Sequence, residues 1–191
     1  MANYFIADLH FGHKNILSYD NRPFKSVESQ DEMIITNWNS EITDDDDVWI
    51  LGDISWYGAE KTCEIFKRLK GKKHLCKGNH DSKLLKNPEV RKLFVEICDY
   101  KELQLENDLC VVLCHYPIPC FKNHFYGWIH LYGHVHNSFE WKMMERVKRE
   151  MADLYTVKCL MFNVGCMMDY MNFTPRRIDQ IVGTAEEFTL I

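Results

Sequence analysis

The side chains best suited to metal and proton chemistry lie in short polar stretches of this chain, the densest being Lys77-Gly78-Asn79-His80-Asp81. It follows an apolar-containing run, Lys73-His74-Leu75-Cys76, which predicts a turn at the end of a strand. Gly, Asn and Asp all tolerate turn backbone, so this motif alone indicates no more than a loop. An amide oxygen, an imidazole and a carboxylate in one small volume would nevertheless provide metal ligands beside a proton donor.

Four further polar stretches end apolar runs in the same way: Asp8-Leu9-His10, Gly52-Asp53, His115 and Gly133-His134-Val135-His136. Residues two apart in an extended chain face the same side, so Asp8 and His10 can point at one spot. Strand C-termini of α/β proteins meet where ligands bind, which predicts convergence of these side chains. All are oxygen or nitrogen ligands: Asp8, His10, Asp53, Asn79, His115, His134 and His136.

Apolar periodicity supplies the elements that would position these side chains. It predicts strands at residues 4–7, 48–51, 73–76, 100–106, 109–114, 128–132 and 157–163, with a hairpin turn at Asn107-Asp108. It predicts helices at residues 29–41, 59–69, 88–97 and 139–154, and a short helix opening at Pro175. A Ser29-x-x-Glu32 capping box marks the start of the first helix.

The composition is that of an ordinary globular protein: 46% of the 191 residues are hydrophobic and 27% are charged. We therefore expect one domain over residues 1–191. The net charge of −5 argues against broad binding to nucleic acid or to an anionic membrane. No apolar run is long enough for a signal peptide or a membrane span, which predicts a cytoplasmic protein. The eight cysteines contain no Cys-x-x-Cys pair and are expected to be reduced.

The five polar blocks, in this order, resemble the signature of the calcineurin-like metallophosphoesterase family, and they cover residues 8–136. The opening Asp8-Leu9-His10-Phe11-Gly12-His13 and the later Asn21-Arg22-Pro23-Phe24 further resemble a subgroup of small bacterial and phage phosphoesterases. The resemblance implies an α/β fold, the metallo-dependent phosphatase fold. This is a four-layer α/β/β/α sandwich of two mixed sheets flanked by helices.

The resemblance also implies a two-metal centre. In that scheme Asp8, His10 and His136 hold one ion, Asp53 bridges, and the other ion is held by Asn79, His115 and His134. Carboxylate, amide and imidazole ligands without thiolate suit manganese, iron, zinc or nickel, and the sequence does not choose among them.

Two such ions about 4 Å apart acidify a shared water and hold phosphoryl oxygens for in-line attack. The expected mechanism is therefore attack by a metal-bridging hydroxide, without a covalent enzyme intermediate. The resemblance implies that His80 protonates the leaving oxygen, and Asp81 is predicted to orient the His80 imidazole.

Several polar residues are open to two interpretations. His13, Arg22 and His124 are candidates for contact with the substrate, against roles as surface, loop or ligand-supporting residues. His74 and His130 lie in strand runs and are expected to pack in the core or to support ligands. The basic residues 67–73 are expected to complement a helix C-terminus rather than to guide RNA. Asn163-Val164-Gly165 is a weaker candidate for approaching the site through its backbone.

The leading functional hypothesis is hydrolysis of phosphomonoesters or phosphodiesters. Nucleotides or RNA remain open as substrates, and neither long DNA nor a membrane is expected as a partner. The alternative is a metal-binding scaffold of the same fold that acts as a protein-interaction module. His80 together with an unbroken ligand set favours catalysis.

Overall fold

The computed structural model describes residues 1–156 and 158–188. The strands are Asn3–Ile6 (β1), Asp47–Ile50 (β2), Lys72–Cys76 (β3), Glu96–Cys98 (β4), Tyr100–Gln104 (β5), Cys110–Cys114 (β6), Ile129–Tyr132 (β7) and Met161–Asn163 (β8). The α-helices are Ile16–Tyr19 (α1), Val27–Glu41 (α2), Ala59–Arg68 (α3), Pro88–Arg91 (α4), Phe139–Tyr155 (α5) and Ile178–Phe188 (α6). Short 3₁₀ turns cover Leu84–Lys86, Glu106–Asp108 and His124–Tyr126.

The strands form two four-stranded sheets, ordered β1-β2-β3-β4 and β5-β6-β7-β8. All pairs in the first sheet are parallel. In the second, β5 and β6 form the predicted antiparallel hairpin, and β6, β7 and β8 are parallel. The second sheet is therefore mixed, as expected, whereas the four strands of the first sheet are parallel. An isolated antiparallel bridge joins Phe5 of the first sheet to Arg176.

Side chains of the second sheet alternate between its two faces, and each face packs against a different layer of the fold. Val111 and Leu113 of β6 belong to the large core cluster that also contains the first sheet and helices α2 and α3. Val112, between them, belongs to a smaller cluster against which Trp141 and Met151 of α5 pack. Since neighbouring strand residues face opposite sides, the second sheet lies between the first sheet and α5. The predicted α/β/β/α sandwich is thus confirmed.

Three predicted boundaries are wrong. The helix expected over residues 88–97 ends at Arg91, because the chain turns to form β4, where the Val95 N–H donates to the Lys73 carbonyl at 2.8 Å. The capping box of α2 joins Ser26 and Ser29, whose hydroxyls and N–H groups bond reciprocally at 3.2 Å. Helix α6 begins at Ile178 rather than at Pro175.

The remaining expectations concern the strand near residue 157, the cysteines and membrane spans. The last strand begins at Met161, and Val157 lies outside the described residues. All eight cysteines lie in the described part of the chain and are free thiols. No helix formed by the described residues is long and apolar enough to cross a membrane.

His130 of β7 was expected to pack in the core or to support ligands, and it is fully buried with its ring nitrogens against backbone. Its Nδ1 lies 3.0 Å from the Val112 carbonyl, and its Nε2 lies 3.1 Å from both the Ile118 N–H and the Tyr116 carbonyl. With the hydrogen on Nδ1, the ring donates to Val112 and accepts from Ile118. A neutral imidazole satisfies both contacts. Burial lowers its pKa to about 4, from 6.5, because the charged form loses its hydration.

We expect this pKa shift to make stability depend on pH. The unfolded histidine binds a proton below pH 6.5 and the folded one only near pH 4. Its contribution is therefore fully present above pH 6.5 and is lost as the pH falls toward 4, by about 3 kcal/mol in all. Urea unfolding of metal-free wild type and His130→Gln across this range should give a shallower pH slope for the variant. Equal slopes would contradict the assignment.

Candidate metal centre

The predicted ligands follow five strands whose C-terminal ends meet along one edge of the sandwich. Asp8 and His10 follow β1, Asp53 follows β2, Asn79 follows β3, His115 follows β6, and His134 and His136 follow β7. The sheets are joined there by backbone: Ala7 N–H donates to the Val164 carbonyl at 2.7 Å, and Cys166 N–H donates to the Ala7 carbonyl at 2.9 Å. The structure thus brings all seven together through the ends of strands from both sheets.

Two groups of side chains have ligand atoms within 4.8 Å of one another. One contains Asp8, His10 and His136, the set that the family scheme gives to the first ion. The other contains Asp8, Asp53 and His115. Asn79 Oδ1 adjoins this second group, at 3.0 Å from both His115 Nε2 and His134 Nδ1. Asp8 therefore belongs to both groups, and Asp53 of the second group approaches the first, with its Oδ2 3.8 Å from His10 Nε2.

The second cluster directs hydrogen-bond acceptors at one another. The Nδ1 of His115 lies 2.7 Å from the Leu51 carbonyl, so in a neutral ring this nitrogen carries the hydrogen. Its Nε2 lone pair then faces Asn79 Oδ1 at 3.0 Å and Asp53 Oδ1 at 3.7 Å. None of these three atoms has a hydrogen to offer the others. A cation resolves this arrangement, so the residues fit a metal.

The first cluster repeats the pattern around His136. Its Nδ1 lies 2.7 Å from Asp20 Oδ1, which directs the Nε2 lone pair to His10 Nε2 at 3.1 Å and to Asp8 Oδ1 at 3.9 Å. A carboxylate behind an imidazole fixes the tautomer and raises the basicity of a metal-binding histidine. Asp20 was not predicted from the sequence, where nothing distinguishes it from other loop acids.

Burial and neighbouring charges shift the pKa values of this centre in different directions. Desolvation lowers the pKa of His10 well below its usual value, and the neighbouring His136 adds to this effect. Desolvation also raises the pKa of Asp53, and the Asp8 charge raises it further, although His115 opposes this. For His136, the Asp20 hydrogen bond and the Asp8 charge outweigh desolvation and raise the pKa. Neutral imidazoles and crowded carboxylates are what a bound cation stabilises.

The backbone of the centre is strained at several of the predicted ligands. Five predicted ligands have positive φ angles: Asp8 (55°), His10 (50°), Asp53 (55°), His134 (69°) and His136 (49°). Left-handed backbone is uncommon for residues other than glycine and clusters at functional sites. Close approach adds to the constraint, since a Cβ at Gly78 would lie 2.1 Å from Asp53 Oδ1 and one at Gly133 2.7 Å from Asp8 Oδ2.

The side chain of His80 is half exposed, whereas Asp8, Asp53 and His115 are buried. Its Nε2 lies 4.0 Å from Asp53 Oδ2, and its backbone N–H donates to Asp53 Oδ1 at 3.1 Å. Asp81 is fully buried, and its carboxylate accepts from the N–H groups of Gly78, Asp53 and Ile54 at 2.7, 3.0 and 2.9 Å. Asp81 therefore holds the Asp53 loop, and this placement does not fit the predicted contact with the imidazole.

The three predicted substrate contacts lie in different places. The His13 ring lies 5.5 Å from that of His10 and stacks on Trp56. Arg22 is buried behind the centre, where it donates to Asp20 and to the Asp8 and Leu9 carbonyls, so it supports the ligands and does not face a substrate. His124 packs on Phe125 and hydrogen-bonds the Phe121 carbonyl, and within the described residues it contacts no predicted ligand.

The structure also gives the positions of the other residues considered in the sequence. His74 packs on Trp49 near the start of the first sheet's strands, with Nε2 2.7 Å from Asp47 Oδ1. Among the basic residues 67–73, Lys73 donates to the Leu69 carbonyl at the end of α3 at 2.6 Å, and Arg68 pairs with Glu32 of α2 at 2.5 Å. The Gly165 backbone does approach the site, since a Cβ there would lie 3.0 Å from Asp8 Oδ2.

The family comparison agrees with this geometry. The model for the calcineurin-like phosphoesterase family matches residues 4–156, and the chain belongs to that family.

An uncharacterized protein of Methanocaldococcus jannaschii is 32% identical over 187 residues, covering 96% of this chain and 91% of the relative. The gene 66 protein of Mycobacterium phage D29 is 28% identical, covering 72% of this chain and 80% of its own length. A protein of unknown function from Aquifex aeolicus superposes with a TM-score of 0.69 and 25% identity, covering 99% of this chain and 98% of its own.

We expect Asp20→Asn to weaken metal binding by roughly 10- to 100-fold, because it removes the charge that orients and activates His136. Asp47→Asn is the matched control, since Asp47 makes the same 2.7 Å contact with His74 outside the centre. Competition between each variant and a fluorescent chelator for Mn²⁺ measures the affinity, with circular dichroism to verify folding. Equal losses in both folded variants would remove the special role of Asp20.

Proposed function

We propose that this protein is a dinuclear metal-dependent phosphoesterase that hydrolyses phosphomonoesters or phosphodiesters, nucleotides included. His80 is its general acid. The main observation in support is that several hydrogen-bond acceptors of the centre face one another without a hydrogen between them. These acceptors are His115 Nε2, Asn79 Oδ1 and the carboxylates of Asp8 and Asp53.

The donor set supports two ions rather than one. Asp8, His10 and His136 would hold one ion, and Asn79, His115 and His134 the other, with Asp53 shared. Oxygen and nitrogen donors without thiolate suit manganese, iron, zinc or nickel. When bound, two divalent ions supply a water of lowered pKa and positive charge for the phosphoryl oxygens.

The chain's own residues divide into buried and exposed groups with different tasks. Asp8, Asp53 and His115 are buried and held by backbone and neighbouring side chains, so their donor atoms are preorganised. His80 lies beside Asp53 with its ring half exposed, where a leaving group would depart. A ring N–H of His80 can therefore donate a proton to the leaving oxygen without competing for a metal.

The dinuclear assignment predicts two ions bound per chain. Calorimetric titration with Mn²⁺, and metal analysis after desalting, should give two for the wild type. Asp53→Ala should retain at most one tightly bound ion, because the shared carboxylate is lost. A wild-type stoichiometry of one would contradict the dinuclear part of the proposal and leave the hydrolase part standing.

The general-acid assignment predicts that His80→Ala loses roughly 10²- to 10⁴-fold in kcat with an alkyl leaving group and still binds metal. The loss should be much smaller with p-nitrophenyl phosphate or its bis ester, whose leaving group needs little protonation. Plotting log kcat against leaving-group pKa for the two enzymes measures the difference in slope. Parallel lines would exclude His80 as the acid.

The scaffold alternative makes the opposite prediction for the same experiments. A protein-interaction module would bind metal fully and turn over no ester in a broad phosphate panel, in either the wild type or His80→Ala. This outcome would contradict the proposed hydrolase activity and favour the protein-interaction module.

A further inference from the structure

A groove of about 920 Å³ leads away from His80. Its walls come from residues 55–59 after β2 and from residues 82–88 after β3, and Asn79 and His80 lie at its inner end. It therefore opens on the side of the centre where the leaving group departs. Neither the metal scheme nor the proposed acid catalysis uses the rest of this groove.

Trp56 is the aromatic side chain at the junction of groove and centre. Its ring lies 4.5 Å from that of His80 and 4.8 Å from that of His10, measured between centroids. His13 stacks flat against the indole, at 4.0 Å and 4° between planes, which fixes its orientation. The indole is still 40% exposed and lines the groove. A large, rigid, partly exposed indole beside a general acid is suited to contact with a planar group.

The charge of the groove is opposite to that of the protein. Its lining includes Lys83 and Lys86 and no acidic residue, although the chain has a net charge of −5. Both lysines are exposed, and within the described part of the chain neither forms an ion pair. Positive charge beyond the indole would attract a second anionic group on the ligand.

The adjoining groove limits how far this positive surface extends. It shares Ala59 and Asn87 with the first groove, and its lining mixes the acidic Glu60, Glu64 and Glu89 with the basic Lys67 and Lys92. Lys92 in this second groove is paired with Glu89 at 2.7 Å. Glu64 is likewise paired with Lys61 at 2.9 Å, so a polyanion that continued beyond Lys86 would pass from unpaired lysines to a surface of mixed charge. The continuous positive surface therefore suits a short ligand.

We propose that this groove binds the leaving-group side of a short single-stranded nucleic acid or dinucleotide, with a base packed against Trp56 and a further phosphate near Lys83 and Lys86. The inference rests on the proposed phosphoesterase activity and specifies its substrate class. A planar base meets the indole, phosphate meets the lysines, and the scissile phosphate lies at the centre. Aromatic stacking tolerates any base, so little sequence preference is expected.

A set of dinucleotides tests the base contact. One has both bases, and two carry an abasic residue at one position or the other. The wild type, reconstituted with Mn²⁺, should show a kcat/KM about tenfold or more lower for the dinucleotide that lacks the leaving-side base. The ratio between intact and abasic substrates is compared within each enzyme, so changes in basal activity cancel.

Substitutions of Trp56 test whether its indole is responsible for the ratio of kcat/KM between intact and abasic substrates. Trp56→Ala and Trp56→Leu should bring it near unity, and Trp56→Phe should keep most of it. Trp56→Leu retains apolar bulk and so covers the case in which the alanine variant does not fold. Tyr126→Ala is the matched aromatic control, since Tyr126 is 82% exposed outside the groove. It should leave the ratio unchanged.

The lysines are tested by salt dependence. Binding of a labelled, non-hydrolysable trinucleotide is followed by fluorescence anisotropy, and the slope of log affinity against log salt is measured. Lys83→Gln and Lys86→Gln should each reduce this slope by roughly 0.7, because each removes one positive charge that neutralises a phosphate. Lys92→Gln, which removes an ion-paired lysine from the second groove, is the control and should keep the wild-type slope.

The possible failures are distinguishable. An enzyme that hydrolyses esters yet treats intact and abasic dinucleotides alike overturns the inference and leaves the proposed function intact. Trinucleotide binding that depends on Trp56 and the lysines, without hydrolysis of any ester, supports the groove and overturns the activity. If affinity continued to rise for strands much longer than a trinucleotide, the inferred limit on ligand length at the second groove would be contradicted.

Discussion

The constraint on which the rest of the structure depends is a cluster of buried hydrogen-bond acceptors that face one another in the candidate metal centre. Lone pairs of His115 and His136 and the carboxylates of Asp8 and Asp53 point into one small volume at the edge of both sheets. Such a cluster is unfavourable in a low-dielectric interior unless a cation compensates it. The fold tolerates it because each ligand is also held from behind: His115 by the Leu51 carbonyl, His136 by Asp20, and Asp8 by the His134 N–H.

Holding these ligands imposes strain that the sandwich must offset. Asp8 and Asp53 sit in left-handed backbone directly after buried parallel strands, so their conformation is set by strand pairing on one side and by loop contacts on the other. Asp81 supplies the loop contacts for Asp53 by accepting three backbone N–H groups. Arg22 supplies them for Asp8, since its guanidinium reaches the Asp8 carbonyl from a buried position. Polar groups outside the ligand set thus keep the donor atoms fixed before any metal arrives.

The sequence predicted the parts of this centre that depend on chain order, and missed those that depend on packing. Strand ends followed by Asp, Asn or His can be identified along the chain, and the structure brings all seven predicted ligands together. Asp20 pairs with His136 across 116 residues, and no local pattern links them. Asp81 is adjacent to His80 in the chain, but its contacts lie with the turn and with the end of another strand. Strand β4 was missed because its three residues have no periodicity of their own, and pairing with β3 makes them a strand.

The same division separates the predicted ligands from the residues proposed to contact the substrate. The ligands are fixed by the ends of buried strands, where a substitution would disturb both sheets. Trp56, Lys83 and Lys86 lie instead on the segments that leave β2 and β3, where these three side chains are exposed while Ser55 and Leu85 of the same segments are buried. Such segments can change composition without altering the ligands, because loops tolerate substitution far better than the elements they connect. Under the proposed function, substrate choice would be determined by the exposed residues of segments 55–59 and 82–88, and the reaction by the strand ends beneath them.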